Sequence, residues 1–251
     1  MPFTFSHPAL IVPVLRLRPR YPWLSATGLI TGSIAPDFEK FFRLKLASSY
    51  SHTVPSIFYF SCPVSLALAF LFHLVVRPPL LAHLPGPLHQ RLGRFRQFDW
   101  LWFFRRHHWG VVASIVLGAA LHLLWDSFTH ANAFMARVWP GINEPIWLGN
   151  HARPLFELLA AVSTVAGGLF IVRAVWQMPR QPVGPAPSTA ALRRYWGIAG
   201  LVAGALLTEW VLAVDPRFLE GSIAAISASL VGVLAASLYT RRKSQVRQRP
   251  A

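Results

Sequence analysis

The sequence predicts an all-α fold, a polytopic membrane helical bundle with about five spans and an N-terminal helical hairpin. Composition supports this prediction, because 54% of the 251 residues are hydrophobic and only 13% are charged. A soluble domain usually carries about twice that charged fraction. The apolar residues also occur in long runs, which is typical of membrane proteins. The expected surroundings of the chain are therefore a lipid bilayer.

Two short apolar segments, residues 7–18 and 22–35, flank a basic stretch that contains Arg16, Arg18 and Arg20. Each segment is shorter than the roughly 20 residues that a helix needs to cross a bilayer. Together they predict a helical hairpin or a re-entrant element that packs among other helices.

A short helix is expected after the hairpin. Pro36-Asp37-Phe38-Glu39 is typical of a helix start, with proline in the first turn and acids near the positive end of the dipole. The basic and aromatic residues of 40–46 predict an amphipathic helix at the membrane surface.

Five later segments are long enough, or nearly so, to span a bilayer. They are Ser56–Val76, Trp109–Phe128, Leu155–Trp176, Tyr195–Val214 and Ser222–Tyr239. The connection 77–108 is rich in arginine and aromatic residues and is expected to lie partly flat at an interface, whereas 178–194 is expected to be a flexible loop. We predict one helical membrane domain over residues 1–240 and a basic, disordered cytoplasmic tail over 241–251.

The net charge of +15 is distributed unevenly between the two predicted sides. Residues 77–108, 178–194 and the tail share one side and hold 14 Lys and Arg, whereas 129–154 and 215–221 hold 3. The positive-inside rule then places the tail in the cytoplasm. Because the basic residues follow the membrane topology, no nucleic acid partner is expected.

Three ionisable residues lie at one end of the second predicted span. His122, Asp126 and His130 follow an i, i+4, i+8 spacing, which places them on one face of a helix. Imidazole and carboxylate groups so arranged can bind a divalent metal ion. The alternative is a hydrogen bond from His122 to Asp126 between packed helices, with His130 among the headgroups.

The predicted topology brings further ligand-type residues to the same outer face. His52 directly precedes the first span, and the hairpin would let His7 and Asp37 emerge on one side together. Three histidines and two aspartates around one point suit zinc or another divalent first-row ion. Taken singly, each has a plainer interpretation, as an interface histidine or a helix start.

Four segments, in this order, resemble an uncharacterised bacterial membrane family, the domain of unknown function 4184. They are Met1-Pro-Phe-Thr-Phe-Ser-His7-Pro, Gly32-Ser-Ile-Ala-Pro-Asp37-Phe-Glu, Ser51-His52-Thr and His122-Leu-Leu-Trp-Asp126-Ser-Phe-Thr-His130. The resemblance extends to about residue 240. It implies an integral protein of the bacterial inner (plasma) membrane.

The order of these motifs is also similar to that of membrane-bound metal-dependent hydrolases of the YdjM type, which in turn resemble helical zinc-dependent phospholipases C. This resemblance implies a zinc site whose ligands are His7, Asp37, His52, His122 and Asp126. The sequence departs from the pattern of the phospholipases, because it has no later His-x3-Glu pair.

The function that follows is metal-dependent hydrolysis of a phosphoester or lipid-like substrate at the outer face. His130 would be a further ligand, a partner of a ligand or a catalytic general acid. The competing prediction is a non-catalytic membrane protein, a transporter or scaffold, in which the His/Asp cluster is structural.

Overall fold

The computed structural model describes residues 3–46, 50–131, 133–181, 184–214 and 218–247, and most of these residues are helical. The helices are α1 Thr4–Leu15, α2 Ala26–Ile34, α3 Phe38–Arg43, α4 Ile57–Ala82, α5 Gly86–Leu92, α6 Trp100–Thr129, α7 Phe134–Val138, α8 Leu155–Trp176, α9 Thr189–Ala213 and α10 Phe218–Arg247. Two short strands, β1 Pro145–Leu148 and β2 His151–Pro154, pair antiparallel with Ile146 opposite Arg153.

Five helices in the described part of the chain are long and apolar enough to cross a membrane: α4, α6, α8, α9 and residues 220–242 of α10. This confirms the predicted all-α class with five spans and gives the chain the character of an integral membrane protein. Helix α8 illustrates this membrane character, because four of its large apolar side chains are each more than 60% exposed: Val162, Val165, Leu169 and Val172. Their spacing forms an apolar stripe that a bilayer would cover.

The predicted helical hairpin is present as α1 and α2, joined by a turn whose Arg16, Arg18 and Arg20 are exposed.

The boundaries of several spans differ from the prediction. Most of residues 77–108 is helical, because α4 continues to Ala82 and α6 already begins at Trp100. The interfacial position expected for part of residues 77–108 stays a prediction.

The charged residues of helix α3 differ in burial. Glu39 and Lys40 are each only 3% exposed, whereas the Arg43 side chain is 41% exposed, and the amphipathic surface helix stays a prediction. Glu39 accepts a hydrogen bond from Arg43 at 2.8 Å, one turn further on.

The last spanning helix, α10, ends at Arg247, beyond the predicted start of the tail at residue 241. Residues 248–251 lie outside the described part.

The chain divides into two compact units, and the first comprises Met1–Phe38, Ser49–Leu66 and Phe104–Gln177. In it, α2 packs closely on α6 through glycine. A Cβ atom on Gly32 would lie 2.3 Å from the carbonyl oxygen of Ile115, and one on Gly118 would lie 2.3 Å from that of Leu29. Only residues without a side chain allow two helix backbones to approach so closely.

The second unit comprises Glu39–Ser48, Ala67–Phe103 and Met178–Ala251. Its helices α9 and α10 pack together, with Gly232 against the backbone of Ala199. Tyr195 is buried there and shares a hydrogen bond of 2.8 Å with Ser237. The single domain expected over residues 1–240 stays a prediction.

Candidate metal centre

Two members of the candidate site, His122 and Asp126, lie one turn apart near the end of α6. His122 is fully buried and Asp126 is 6% exposed. The imidazole is held from behind, because its Nδ1 lies 2.8 Å from the carbonyl oxygen of Ser33 on α2. The close α2–α6 packing at Gly32 and Gly118 therefore fixes the direction in which His122 points.

Asp37 enters the site from the short 3₁₀ turn Ala35–Asp37 that follows α2. Its side chain is fully buried, and Thr4 Oγ1 of α1 donates a hydrogen bond to its Oδ2 at 2.6 Å. The other oxygen, Oδ1, faces His52 and His122. The hairpin thus supplies both the carboxylate and the group that orients it.

His52 belongs to the turn that precedes α4. Its Nδ1 lies 2.8 Å from the hydroxyl of Ser51, and Ser56 Oγ donates to the carbonyl oxygen of Ser51 at 2.7 Å. These local bonds direct Nε2 of His52 toward the two carboxylates. The side chain is 18% exposed, the largest exposure among the four residues Asp37, His52, His122 and Asp126.

The ligand atoms of these four residues lie within 4.8 Å of one another and could hold a metal ion. His52 Nε2 is 3.3 Å from Asp37 Oδ1, 3.4 Å from Asp126 Oδ2 and 3.4 Å from His122 Nε2. His122 Nε2 is 3.3 Å from Asp126 Oδ2 and 3.9 Å from Asp37 Oδ1. A tetrahedral zinc ion with ligands at about 2.1 Å requires edges of about 3.4 Å. Four of these five edges are close to that length, and the edge from His122 Nε2 to Asp37 Oδ1 is longer.

Hydrogen-bond chemistry fixes which nitrogen of His122 faces the cluster as an acceptor. A carbonyl oxygen can only accept, so the contact with Ser33 requires a hydrogen on Nδ1. In the neutral ring, Nε2 then directs its lone pair at Asp126 Oδ2 and the Nε2 of His52. Asp126 Oδ2 is itself buried and accepts no hydrogen bond from the described residues. Electron-rich atoms that converge in this way are stabilised by a cation between them.

Charge balance also favours positive charge at this site. Two buried carboxylates repel one another and cost several kcal/mol of desolvation unless positive charge compensates them. A divalent ion with Asp37, Asp126 and two neutral imidazoles forms a group of zero net charge. Neutrality is what allows such a group to sit in an apolar segment.

His7 lies beside the four-residue group, with its Nε2 at 3.1 Å from Asp126 Oδ1. Its Nδ1 is 3.2 Å from the carbonyl oxygen of Thr4, and its ring stacks on that of His122 at a centroid distance of 3.9 Å. His7 therefore contacts one carboxylate oxygen of Asp126, and His52 contacts the other.

His130 lies at the edge of the cluster, where its side chain is 34% exposed. Its Nδ1 is 3.0 Å from the carbonyl oxygen of Asp126 and 3.7 Å from Asp126 Oδ1. The ring is thus anchored by the backbone of the helix turn below it. Among the groups around Asp126 it is the most accessible to solvent.

The structure brings together all six residues named from the sequence, His7, Asp37, His52, His122, Asp126 and His130. Metal ligation by them stays a prediction. Sequence reasoning missed Thr4 and Ser33, which orient Asp37 and His122. Ser33 acts through its backbone oxygen, so no residue type could have indicated it, whereas Thr4 lies within a motif that had been singled out.

The family model described as "Domain of unknown function (DUF4184)" matches residues 1–240 of the chain. That range contains every residue of the cluster. No curated protein and no solved structure matches the chain.

Proposed function

The chain belongs to the DUF4184 family, whose description names no activity, and we propose that it is a membrane-bound metal-dependent hydrolase. The observation that supports this proposal best is the group of two imidazole nitrogens and two carboxylate oxygens that lie within 4.8 Å of one another. The proposed ion is zinc, because mixed nitrogen and oxygen ligands at these separations suit it. The proposed substrate is a phosphoester, such as that of a lipid.

Asp37, His52, His122 and Asp126 would hold the ion, and His7 would complete the set or orient Asp126. When bound, the ion would supply Lewis acidity, polarising a phosphoryl oxygen and acidifying a water molecule near neutral pH. Thr4 keeps Asp37 in position through its hydroxyl. Partners of this kind commonly change metal affinity by 10–100-fold.

His130 is the proposed general acid. Because a carbonyl oxygen occupies Nδ1, its Nε2 is the position that exchanges a proton with solvent or with a leaving oxygen. In phosphoester cleavage, water would attack the phosphorus atom and the departing alkoxide would take the proton from Nε2 of the imidazolium. Its 34% exposure lets the ring be reprotonated from solvent.

Sidedness is part of the same proposal. In this proposal, which the charge asymmetry supports, the C-terminal end would lie in the cytoplasm of a bacterial inner membrane and the cluster at the outer face. A substrate would then approach from the His52 and His130 side, where the cluster is least buried.

A second candidate is a structural metal site in a non-catalytic scaffold. One observation favours it: the group offers four protein ligands, which would fill a tetrahedral shell, whereas catalytic zinc keeps an open position. A hydrolase of this design would need His52, the most exposed ligand, to make room or the ion to accept a fifth ligand.

The test is a phosphoester screen on full-length protein in mild detergent with equimolar zinc, using bis(p-nitrophenyl) phosphate and short-chain phospholipids. We expect wild-type turnover to require zinc, and His130→Gln to keep the metal while losing about 10²–10⁴-fold in kcat. His108→Gln is the matched control, since His108 is exposed on the same helix, and it should retain turnover. Zinc-loaded protein that is stable but inactive on every phosphoester would favour the structural alternative.

A further inference from the structure

A second polar feature of the first unit lies toward the other end of α6. The helix is broken at His107, whose φ of −131° and ψ of 29° are not helical. A cavity of about 400 Å³ opens beside the break. Its lining residues are Trp23, Arg106, His107, His108, Trp109, Gly110 and Ala113.

This cleft is built by the turn of the N-terminal hairpin seated on α6. A Cβ atom on Gly110 would lie 2.5 Å from the carbonyl oxygen of Trp23, so a glycine is needed for the approach. Ser114 Oγ accepts a hydrogen bond from the backbone N–H of Ser25 at 2.9 Å and donates to the carbonyl oxygen of Gly110 at 2.6 Å. The cleft is therefore a fixed part of the packing.

The charge around the cleft is of one sign. Arg16, Arg18 and Arg20 are exposed on the hairpin turn, and Arg105 and Arg106 are exposed on α6. No aspartate or glutamate occurs in residues 16–25 or 104–113. Arginine recognises phosphate well, because its planar donors can bind two phosphate oxygens at once.

The cleft lies about one bilayer core's thickness along α6 from the candidate metal centre. Residue 108 and Asp126 are separated by about 27 Å of helix at 1.5 Å per residue, and a bilayer core is about 30 Å thick. Trp23 and Trp109 beside the cleft are 44% and 76% exposed. Exposed tryptophans together with arginines are typical of the headgroup region.

We propose that this cleft binds a phosphate-bearing anion, and that the source its setting favours is the headgroup of an anionic phospholipid. Basic pockets between membrane helices recognise such headgroups. Arg106 would bind the phosphate, and Trp23 and Trp109 would contact the glycerol and upper acyl region. The proposal does not depend on metal binding or hydrolysis at the other end of α6.

The experiment measures the apparent Kd of full-length protein for dihexanoyl phosphatidylglycerol by native mass spectrometry. Dihexanoyl phosphatidylcholine and inorganic phosphate are the two other probes. The variant is Arg106→Gln, with Arg193→Gln as the matched control, because Arg193 is also an exposed arginine at the start of a spanning helix. We expect about tenfold weaker phosphatidylglycerol binding for Arg106→Gln, as loss of a charged hydrogen bond gives, and less than twofold for Arg193→Gln.

A second variant, Trp109→Ala, separates the two sources of phosphate. Weakened phosphatidylglycerol binding in this variant, with phosphate a poor competitor, supports the lipid headgroup. If phosphate competes at equal concentration and Trp109→Ala binds normally, the cleft is a site for the small anion alone. Equal losses in Arg106→Gln and Arg193→Gln, or equal binding of phosphatidylcholine, would overturn the proposal and leave these arginines as topology signals.

Discussion

His122 and His73 are both buried histidines in membrane-spanning helices, yet their surroundings are opposite. His122 faces two carboxylates and another imidazole. His73 accepts a hydrogen bond from Arg77 Nη1 at 2.9 Å, and its ring stacks on Trp100 at a centroid distance of 4.5 Å. The comparison shows that burial alone does not indicate a metal site, and that the charge of the neighbouring groups does.

The His73 cluster is explained by packing and internal hydrogen bonding. Arg77 also donates to the carbonyl oxygen of Phe98 at 2.6 Å, so the guanidinium connects α4 to the turn before α6. A histidine that accepts from a cation is neutral, and the nitrogen that accepts is already used in this hydrogen bond and not offered to a metal. The His122 cluster instead brings two carboxylates together, an arrangement that could hold a metal ion.

The largest expected difference between the two clusters concerns metal content. His122→Ala should abolish zinc binding at equimolar zinc, because it removes a ligand and leaves two carboxylates uncompensated. His73→Ala should bind zinc as the wild type does while losing about 2 kcal/mol of stability, from the lost stacking and the unsatisfied Arg77. Metal analysis and melting curves of both variants check this, and zinc loss in His73→Ala would remove the distinction.

A second prediction tests whether helix packing holds the metal cluster together. Gly32→Ala places a Cβ atom 2.3 Å from the backbone of Ile115, so α2 must move away from α6. We expect a loss of about 1–3 kcal/mol in stability and weaker zinc binding, since Asp37 and Ser33 move with α2.

The control for that change is Gly200→Ala in α9, where the added methyl group would meet no atom within 4 Å. It should raise stability by up to about 1 kcal/mol, because alanine favours the helix. Zinc titrations by calorimetry compare the two variants. Unchanged zinc affinity in Gly32→Ala would show that the cluster does not depend on this helix contact.

A smaller effect is expected from the orienting hydroxyl of Thr4. Thr4→Val keeps the shape of the side chain but removes the donor to Asp37 Oδ2, so zinc affinity should fall by about 10–100-fold. Thr31→Val is the control, because the Thr31 hydroxyl donates to Thr27 within α2 and not to the cluster. A calorimetric titration that gives equal affinities for both variants would exclude Thr4 as a positioning residue.

The fold class and the five spans were predictable because long apolar runs determine them. The convergence of His122, Asp126 and His130 followed from helical spacing, which is a local property. The span boundaries near Arg77 and Trp100 were misjudged, since a buried arginine that donates to His73 and to a carbonyl oxygen cannot be distinguished in sequence from an interfacial one.

The burial of Lys40 and the role of Ser33 could not be predicted for a related reason. Both depend on which segments pack together, and a carbonyl partner leaves no trace in residue type. His107 and His108 lie in the segment expected partly at an interface, and both line the cleft near the start of α6. The break in α6 that forms this cleft has no proline to indicate it.

The most direct test of the metal centre is the number of zinc ions bound per chain. It is measured by elemental mass spectrometry after chelation, dialysis and reloading with equimolar zinc. The comparison is wild type, Asp126→Asn and Asp99→Asn, the last being the same chemical change at an exposed aspartate just before α6. Asparagine keeps the size of Asp126 but removes the anionic ligand. We predict one zinc per chain in the wild type and in Asp99→Asn, and less than a tenth of that in Asp126→Asn while the protein remains monodisperse. Wild-type protein without zinc, or Asp126→Asn with as much as the wild type, would contradict the account.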